Sequence, residues 1–339
     1  MNTAQTTVQP QSVRRRFQLG TNTLQQLVIF GVLVLLMLAM SLLTDKFATQ
    51  ANLTNVLRQT TPVIIAACAA TLIMISGGLD ISVGGVLAVS GVVAAKLATL
   101  GIPLGVALIA GCLSGALIGV INGFLIVNLK ITPVIATLGT MSIARGLAFL
   151  ISDGRAVVSG LPPEFRLIGR DYLGPIPTPV VIMIIVFLIF YFLLTRTLLG
   201  KYTYAIGGNK VTAHLSGVPV KQIQFVLYVL GGLTAGIAGI ILASRLASGQ
   251  PDVGIGFEFD VIVAVILGGT SLAGGQGTVF GTLIGALIVG VLGNGLNLLG
   301  VHTFYQYVLS GGVLIFAVLL DMALKGEGIR LPAAWRTKT

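Results

Sequence analysis

The chain has 339 residues, of which 55% are apolar and only 9% are Asp, Glu, Lys or Arg. A soluble domain carries about 25% charged residues, so this composition excludes a soluble enzyme, a disordered protein and a nucleic-acid-binding domain. The net charge of +10 comes from 20 Lys and Arg against 10 Asp and Glu. Those basic residues gather at the two ends and in a few connecting segments, as charge that sets membrane topology does. The expected class is an all-α polytopic membrane protein in a lipid bilayer, with no nucleic-acid partner.

Residues 1–23 read as a polar tail carrying Arg14, Arg15 and Arg16. The apolar run Leu24 to Leu43 follows; at ~1.5 Å per residue it crosses a ~30 Å hydrocarbon core, and it is longer than the apolar part of a cleaved signal. Further apolar runs lie near 62–79, 81–100, 103–127, 131–151, 178–195, 223–243, 257–273, 278–300 and 304–322. With the first, they predict about ten transmembrane helices over 24–322 and a second tail at 323–339. Gly and Ser interrupt the runs at 81–100 and 257–273. With the N-terminus inside, twelve Lys and Arg fall on the cytoplasmic side and six outside, which predicts both termini cytoplasmic. An eight-span reading has the same parity.

Two connections are long: 152–177, rich in proline and expected outside, and the basic segment 196–222, expected in the cytoplasm. Glycine numbers 45. Gly111, Gly115, Gly119 and Gly123 recur every fourth residue, as do Gly277, Gly281 and Gly285, and Gly232 with Gly236. That spacing makes a helix stripe against which a second helix packs closely. The breaks Gly77-Gly78 and Gly84-Gly85 are echoed by Gly268-Gly269 and Gly274-Gly275, which points to two weakly related halves. Cys68 and Cys112 lie inside apolar runs, and His214 and His302 are far apart. No metal site or disulfide is expected.

Asp80 stands between two apolar runs after Gly77-Gly78. It either lines a path or caps the following helix. Arg145 falls within the fifth span, where it snorkels to the outer interface or faces a hydrophilic cavity. Asn122, Asn294, Asn297 and Gln306 suit interhelical hydrogen bonds or a neutral polyhydroxy solute. An ion-driven carrier needs several intramembrane carboxylates or His; here Asp80 and Asp260 are the candidates. Gly200-Lys201 lacks the rest of a phosphate-binding loop, so energy for transport must come from another subunit. Such a subunit would dock on 196–222. There Gly207-Gly208 predicts a turn, Asn209 an N-cap, and Lys210 to Leu215, including Ala213, a short helix that Ser216 and Gly217 end.

Three stretches carry a family resemblance. They are Ser76-Gly-Gly-Leu-Asp-Ile-Ser-Val-Gly-Gly85, Gly200-Lys-Tyr-Thr-Tyr-Ala-Ile-Gly-Gly-Asn209, and the run from Leu267-Gly-Gly-Thr-Ser-Leu-Ala-Gly-Gly-Gln-Gly-Thr-Val-Phe-Gly-Thr-Leu-Ile-Gly-Ala286 on to Gly293-Asn-Gly-Leu-Asn-Leu-Leu-Gly-Val301. Across about residues 25–322 the chain resembles permease subunits of ribose-type bacterial ATP-binding-cassette sugar importers. The resemblance implies a permease dimer in the inner membrane. It also implies a cytoplasmic ATPase, which would hold Mg-ATP while this chain binds no cofactor, and a periplasmic sugar-binding protein. Alternating access would pass through the peg at 207–217. Related proteins commonly follow Gly-Gly-Asn with Glu and alanines; here Lys210, Val211 and Thr212 stand there, so a carboxylate anchor at that point is not expected. An ion-coupled carrier and a non-transporting scaffold are the alternatives.

Overall fold

A computed structural model describes residues 21–302 and, beyond them, Tyr305, Val308, Gly311, Gly312, Ile315, Val318 and Leu319. The tails, most of the expected tenth span at 304–322, and Gln306 lie outside the described residues. The helices in chain order are α1 (Thr21–Leu43), α2 (Gln50–Ile75), α3 (Val83–Thr99), α4 (Leu104–Gly123), which continues as a π turn (Phe124–Asn128), α5 (Pro133–Ile151) and the short α6 (Leu167–Arg170). After them come α7 (Thr178–Arg196), α8 (Leu198–Gly208), α9 (Lys210–Leu215), α10 (Val220–Leu246), α11 (Phe257–Leu267) and α12 (Val279–Leu298). Among the described residues, seven helices are long and apolar enough to cross a membrane: α1, α2, α4 with its π turn, α5, α7, α10 and α12. The chain is therefore a mostly helical, polytopic membrane protein.

The second helix begins twelve residues before the apolar run that announced it. Thr49 caps it, accepting the Asn52 amide at 3.3 Å, and Pro62 falls inside it instead of at its start. Proline has no N–H to give the carbonyl four residues back. That carbonyl belongs to Arg58, and Arg245 Nη1 donates to it at 3.3 Å. A polar opening turn and a proline hid the helix from a hydropathy reading. From Thr60 to Ile75 it is buried almost throughout, and it forms the hub of the bundle.

The glycine stripes of α4 and α10 do the close packing expected of them, whereas Gly277, expected in a stripe with Gly281 and Gly285, lies before the cap of α12 at φ +145°. On α4, a methyl at Gly115 would come within 2.5 Å of the Gly232 carbonyl, and one at Gly119 would overlap that of Tyr228. On α10, a methyl at Gly232 would overlap the Gly115 carbonyl, so the two backbones lie face to face where side chains are missing. Gly239 meets Leu87 on α3 in the same way, and a methyl on Gly85 would lie 2.5 Å from the Met141 carbonyl on α5. Gly268 and Gly281 press α11 against α12.

The two interrupted runs yield the two short helices, α3 of 17 residues and α11 of 11. The chain reaches the start of each through non-helical backbone, 76–82 before α3 and 247–256 before α11. Both helices start inside the bundle: Val83 is 2% exposed and Glu258 7%. Their first turns meet, with Gly84 directly beside the Gly254 carbonyl and the Glu258 carboxyl. The two short helices thus face each other at their N-termini, whereas the second pair of echoed glycine breaks, Gly268-Gly269 and Gly274-Gly275, follows the C-terminus of α11.

At the end of the bundle away from α8, the connection 152–177 is tied down by backbone. Val157 and Gly249 exchange hydrogen bonds of 2.9 and 3.0 Å. Ser244 Oγ donates to the Phe165 carbonyl at 2.5 Å and accepts the Gly169 amide at 2.7 Å. A two-residue hairpin, β1 (Tyr172–Leu173) with β2 (Ile176–Pro177), closes the connection, and the Arg58 guanidinium lies 4.4 Å over the Tyr172 ring.

Candidate functional site

The segment after α7 builds a compact projection. Gly200 lies against the Leu194 backbone, leaving no room for a side chain, so α8 folds back sharply from α7. Gly207 and Gly208 are the last residues of α8, not a turn as their sequence suggested; the helix ends one residue later, at Asn209. Asn209 has extended backbone, and its Oδ1 accepts the Thr212 amide at 2.9 Å. That is the expected cap, and it opens α9 over the expected residues. Gly217 closes it at φ +83°, donating its amide to the His214 carbonyl at 3.0 Å. Ser216 donates its own amide to Thr212. Ala213 is buried with Ile206, Val218 and Val220 in a small core of its own, while Leu215 and Val211 are 81% and 69% exposed. Beside them a cleft of about 640 Å³, lined by Lys210, His214, Val218 and Lys221, separates α9 from the start of α10.

Behind the peg, the three glycine-bearing stretches of the sequence converge. Gly275 donates its amide to the Ile75 carbonyl at 2.8 Å, where α2 ends. Gly207 fits against that carbonyl and the Gly275 amide with no space for a methyl. Tyr204 Oη donates to the Gly277 carbonyl at 2.6 Å, and burial pushes its phenol up, which keeps it protonated as the donor. Lys210 Nζ donates to Gln224 Oε1 at 2.8 Å, and Gln224 Nε2 reaches the Ser76 carbonyl at 3.5 Å.

Asp80 is 4% exposed and belongs to a buried chain of polar groups. Its Oδ1 accepts the Ser82 amide at 2.9 Å and the Ser82 hydroxyl at 2.6 Å. Asn122 Nδ2 donates to Ser82 Oγ at 2.9 Å, and Thr140 Oγ1 donates to Asn122 Oδ1 at 2.6 Å. Asp80 is therefore close to the helix-capping reading: it orders the turn into α3, although the N-cap itself is Ser82. The chain ties the α2–α3 break to α4 and α5. Among the described residues, Asp80 Oδ2 has no hydrogen-bond partner.

The Arg145 guanidinium is engaged by backbone. Its Nη1 donates to the Pro251 carbonyl at 2.9 Å and also to that of Val253, holding the non-helical segment that leads into α11. Those carbonyls lack partners of their own in secondary structure, and a guanidinium offers several donors in a rigid fork. Glu258, which the sequence reading overlooked, lies in the first turn of α11 at the point where the N-termini of α3 and α11 meet. A carboxyl group there complements both helix dipoles. An acidic residue at the second position of a short apolar run that follows glycine was the available signal.

Asn294 pairs reciprocally with Asn52. Asn52 Nδ2 donates to Asn294 Oδ1 at 2.9 Å, and Asn294 Nδ2 to Asn52 Oδ1 at 3.0 Å. The pair clamps α12 to the start of α2. Asn297 is exposed one turn further along α12. Of the described residues expected along a path, Asp80 and Asn122 meet through Ser82, while Arg145 and Asn294 bond to other segments.

A bundle of long apolar helices with two short ones, and a capped helical peg at one end, defines a polytopic membrane protein. The chain belongs to the family described as branched-chain amino acid transport system / permease component, which matches residues 52–318. It is 44% identical to the ribose import permease protein of Bacillus subtilis over 93% of this chain and 98% of that one. It is 43% identical to the ribose import permease protein of Escherichia coli over 91% and 96%, and 41% identical to the D-allose transport system permease protein of Escherichia coli over 83% and 86%. No solved structure matches it significantly.

Proposed function

We propose that the chain is the transmembrane permease subunit of an ATP-driven importer, moving a neutral monosaccharide or polyol across the bacterial inner membrane by alternating access. The observation that carries this reading is identity above 40% with sugar permeases over nearly the whole of both chains. A cytoplasmic ATPase binds Mg-ATP and docks on the peg through Val211 and Leu215, with Gly207, Gly208, Asn209, Ala213, Ser216 and Gly217 giving the peg its shape. A periplasmic binding protein delivers the sugar to the opposite end.

In this reading 1–23 and 323–339 are cytoplasmic tails, 24–322 is the permease domain with about ten spans, and 196–222 faces the cytoplasm. The charge pattern supports that side: Arg196, Lys201, Lys210 and Lys221 stand in a stretch with no carboxylate between Asp171 and Asp252. Two copies form the permease, and the sugar passes between them. Inside one copy the side chains of Ser82, Asn122, Thr140 and Asn294 are bonded to other groups of the chain, and Asp80 uses Oδ1 on Ser82 while its Oδ2 is unbonded among the described residues.

The test is reconstitution in proteoliposomes, with and without the ATPase and binding protein, using labelled ribose, allose and arabinose. Uptake that requires ATP and both partners is the expected result. Uptake by the chain alone under a proton gradient would overturn it and make Asp80 the first residue to substitute.

A further inference from the structure

We infer that Gly207 is a positioning residue, the contact through which displacement of the peg is passed at once to two helix breaks, the α2–α3 break at Ile75–Gly77 and the α11–α12 break at Gly274–Gly277. The inference rests on the importer reading above and adds the route by which the motor's movement enters the bundle.

Three observations carry it. The first is that the contact is backbone against backbone. A methyl on Gly207 would overlap the Ile75 carbonyl and the Gly275 amide, and one on Gly274 would lie 3.1 Å from the Gly77 nitrogen and the Ile75 oxygen and 3.2 Å from Gly207 Cα. Side chains can absorb a shift by changing rotamer, but close-packed peptide groups cannot. The second is that the two breaks are already joined to each other by the 2.8 Å bond from the Gly275 amide to the Ile75 carbonyl, so neither moves without the other. The third is that the peg has two further ties to the same place. Tyr204, one turn before Gly207, holds Gly277, and Lys210, the first residue of α9, reaches the α2 end through Gln224.

Gly77, Gly274 and Gly275 have φ of +77°, +86° and +76°, so both receiving segments are turns that only glycine adopts without strain. From one, the chain runs on to the buried start of α3; from the other, to Thr278, whose Oγ1 accepts the Gly281 amide and caps α12. An ångström of movement at Gly207 is therefore applied to both breaks together, as rigid shifts and not as local flexing.

The experiment uses the complete transporter in proteoliposomes and reads sugar moved per ATP hydrolysed. The probe is whichever of labelled ribose, allose and arabinose the unsubstituted transporter takes up best. For Gly207→Ala the permease is expected to insert and retain the ATPase, and hydrolysis to stay within about twofold, while sugar per ATP falls about tenfold. Tyr204→Phe removes one tie without crowding the backbone and should lower the ratio severalfold. Gly105→Ala, where a methyl meets nothing within 4 Å, is the control and should leave the ratio unchanged. An unchanged ratio in Gly207→Ala, or loss of the ATPase from it, overturns the inference. If that variant does not reach the membrane, Tyr204→Phe decides: a lowered ratio supports the inference and an unchanged one overturns it. Absence of ATP-driven uptake in the unsubstituted transporter removes the importer reading and this inference with it, whereas normal uptake with insensitive ratios removes this inference alone.

Discussion

Asn294 and Arg145 look alike in the sequence, as polar groups stranded in apolar runs, and the structure gives each a specific backbone or side-chain partner. Removing one amide of the Asn52–Asn294 pair leaves the other without its partner, a cost of about 1–3 kcal/mol, whereas removing both returns much of that loss. Asn294→Leu should therefore lower the unfolding temperature in detergent more than the double variant Asn52→Leu with Asn294→Leu. A double variant at least as unstable as the single would show that the pair is not the main contribution of either residue. For Arg145→Ala, the two carbonyls at Pro251 and Val253 lose a charged donor, worth about 1.5–3 kcal/mol for each such bond. The expected outcome is faster proteolysis within 247–256 together with a lower unfolding temperature. Cleavage rates equal to those of the unsubstituted chain would exclude the clamp.

At the level of helices, the same residue type carries opposite expectations according to what it faces. Gly119→Val places bulk on the Tyr228 carbonyl and should cost about 1–3 kcal/mol through overpacking, read as loss of folded protein on thermal challenge. Gly105→Ala in the same helix should be neutral or stabilising by up to about 1 kcal/mol. On the peg, Leu215→Asp should release the ATPase while membrane insertion stays normal, because Leu215 is exposed and its helix is held by Ala213 on the other side. Spacing alone was enough to identify the stripes of α4 and α10 and the cap at Asn209, since both follow from local geometry. The start of α2 was hidden because its first turns are polar and some of their partners, Asn294 and Arg245, lie in distant segments. Arg145 and Glu258 could not be placed from the sequence for a related reason: their surroundings are built from 247–256, about a hundred residues from Arg145, and from Gly84, more than 150 residues from Glu258. The glycine echo was visible as a repetition, but repetition says nothing of contact, and that the two breaks touch each other and Gly207 required coordinates.

For the molecule as a whole, the two ends of the bundle differ in kind: one carries the peg and the junction behind it, the other a connection fastened by Val157, Ser244 and the Arg58–Tyr172 stack. Their sidedness can be read directly. With Cys68 and Cys112 replaced by Ser, a cysteine at Lys221 should react with a membrane-impermeant thiol reagent only from the cytoplasmic face, and one at Arg155 only from outside. The reverse labelling would invert the topology and put the peg out of reach of any cytoplasmic motor. The meeting of α3 with α11 also has a consequence for how the protein is made. The start of α3 is enclosed by Gly254 and Glu258, and the end of α2 by Gly275. At about 5–20 residues per second, a ribosome that has just finished Ser82 needs on the order of ten to thirty seconds more before Phe257 exists. During that interval Asn122, Gln224 and Tyr228 arrive in turn beside 76–82, but the partners on α11 and at Gly275 are still missing. The first half of the protein is therefore expected to stay loose and protease-sensitive until the second half arrives, and truncated chains ending before α11 should be degraded instead of accumulating.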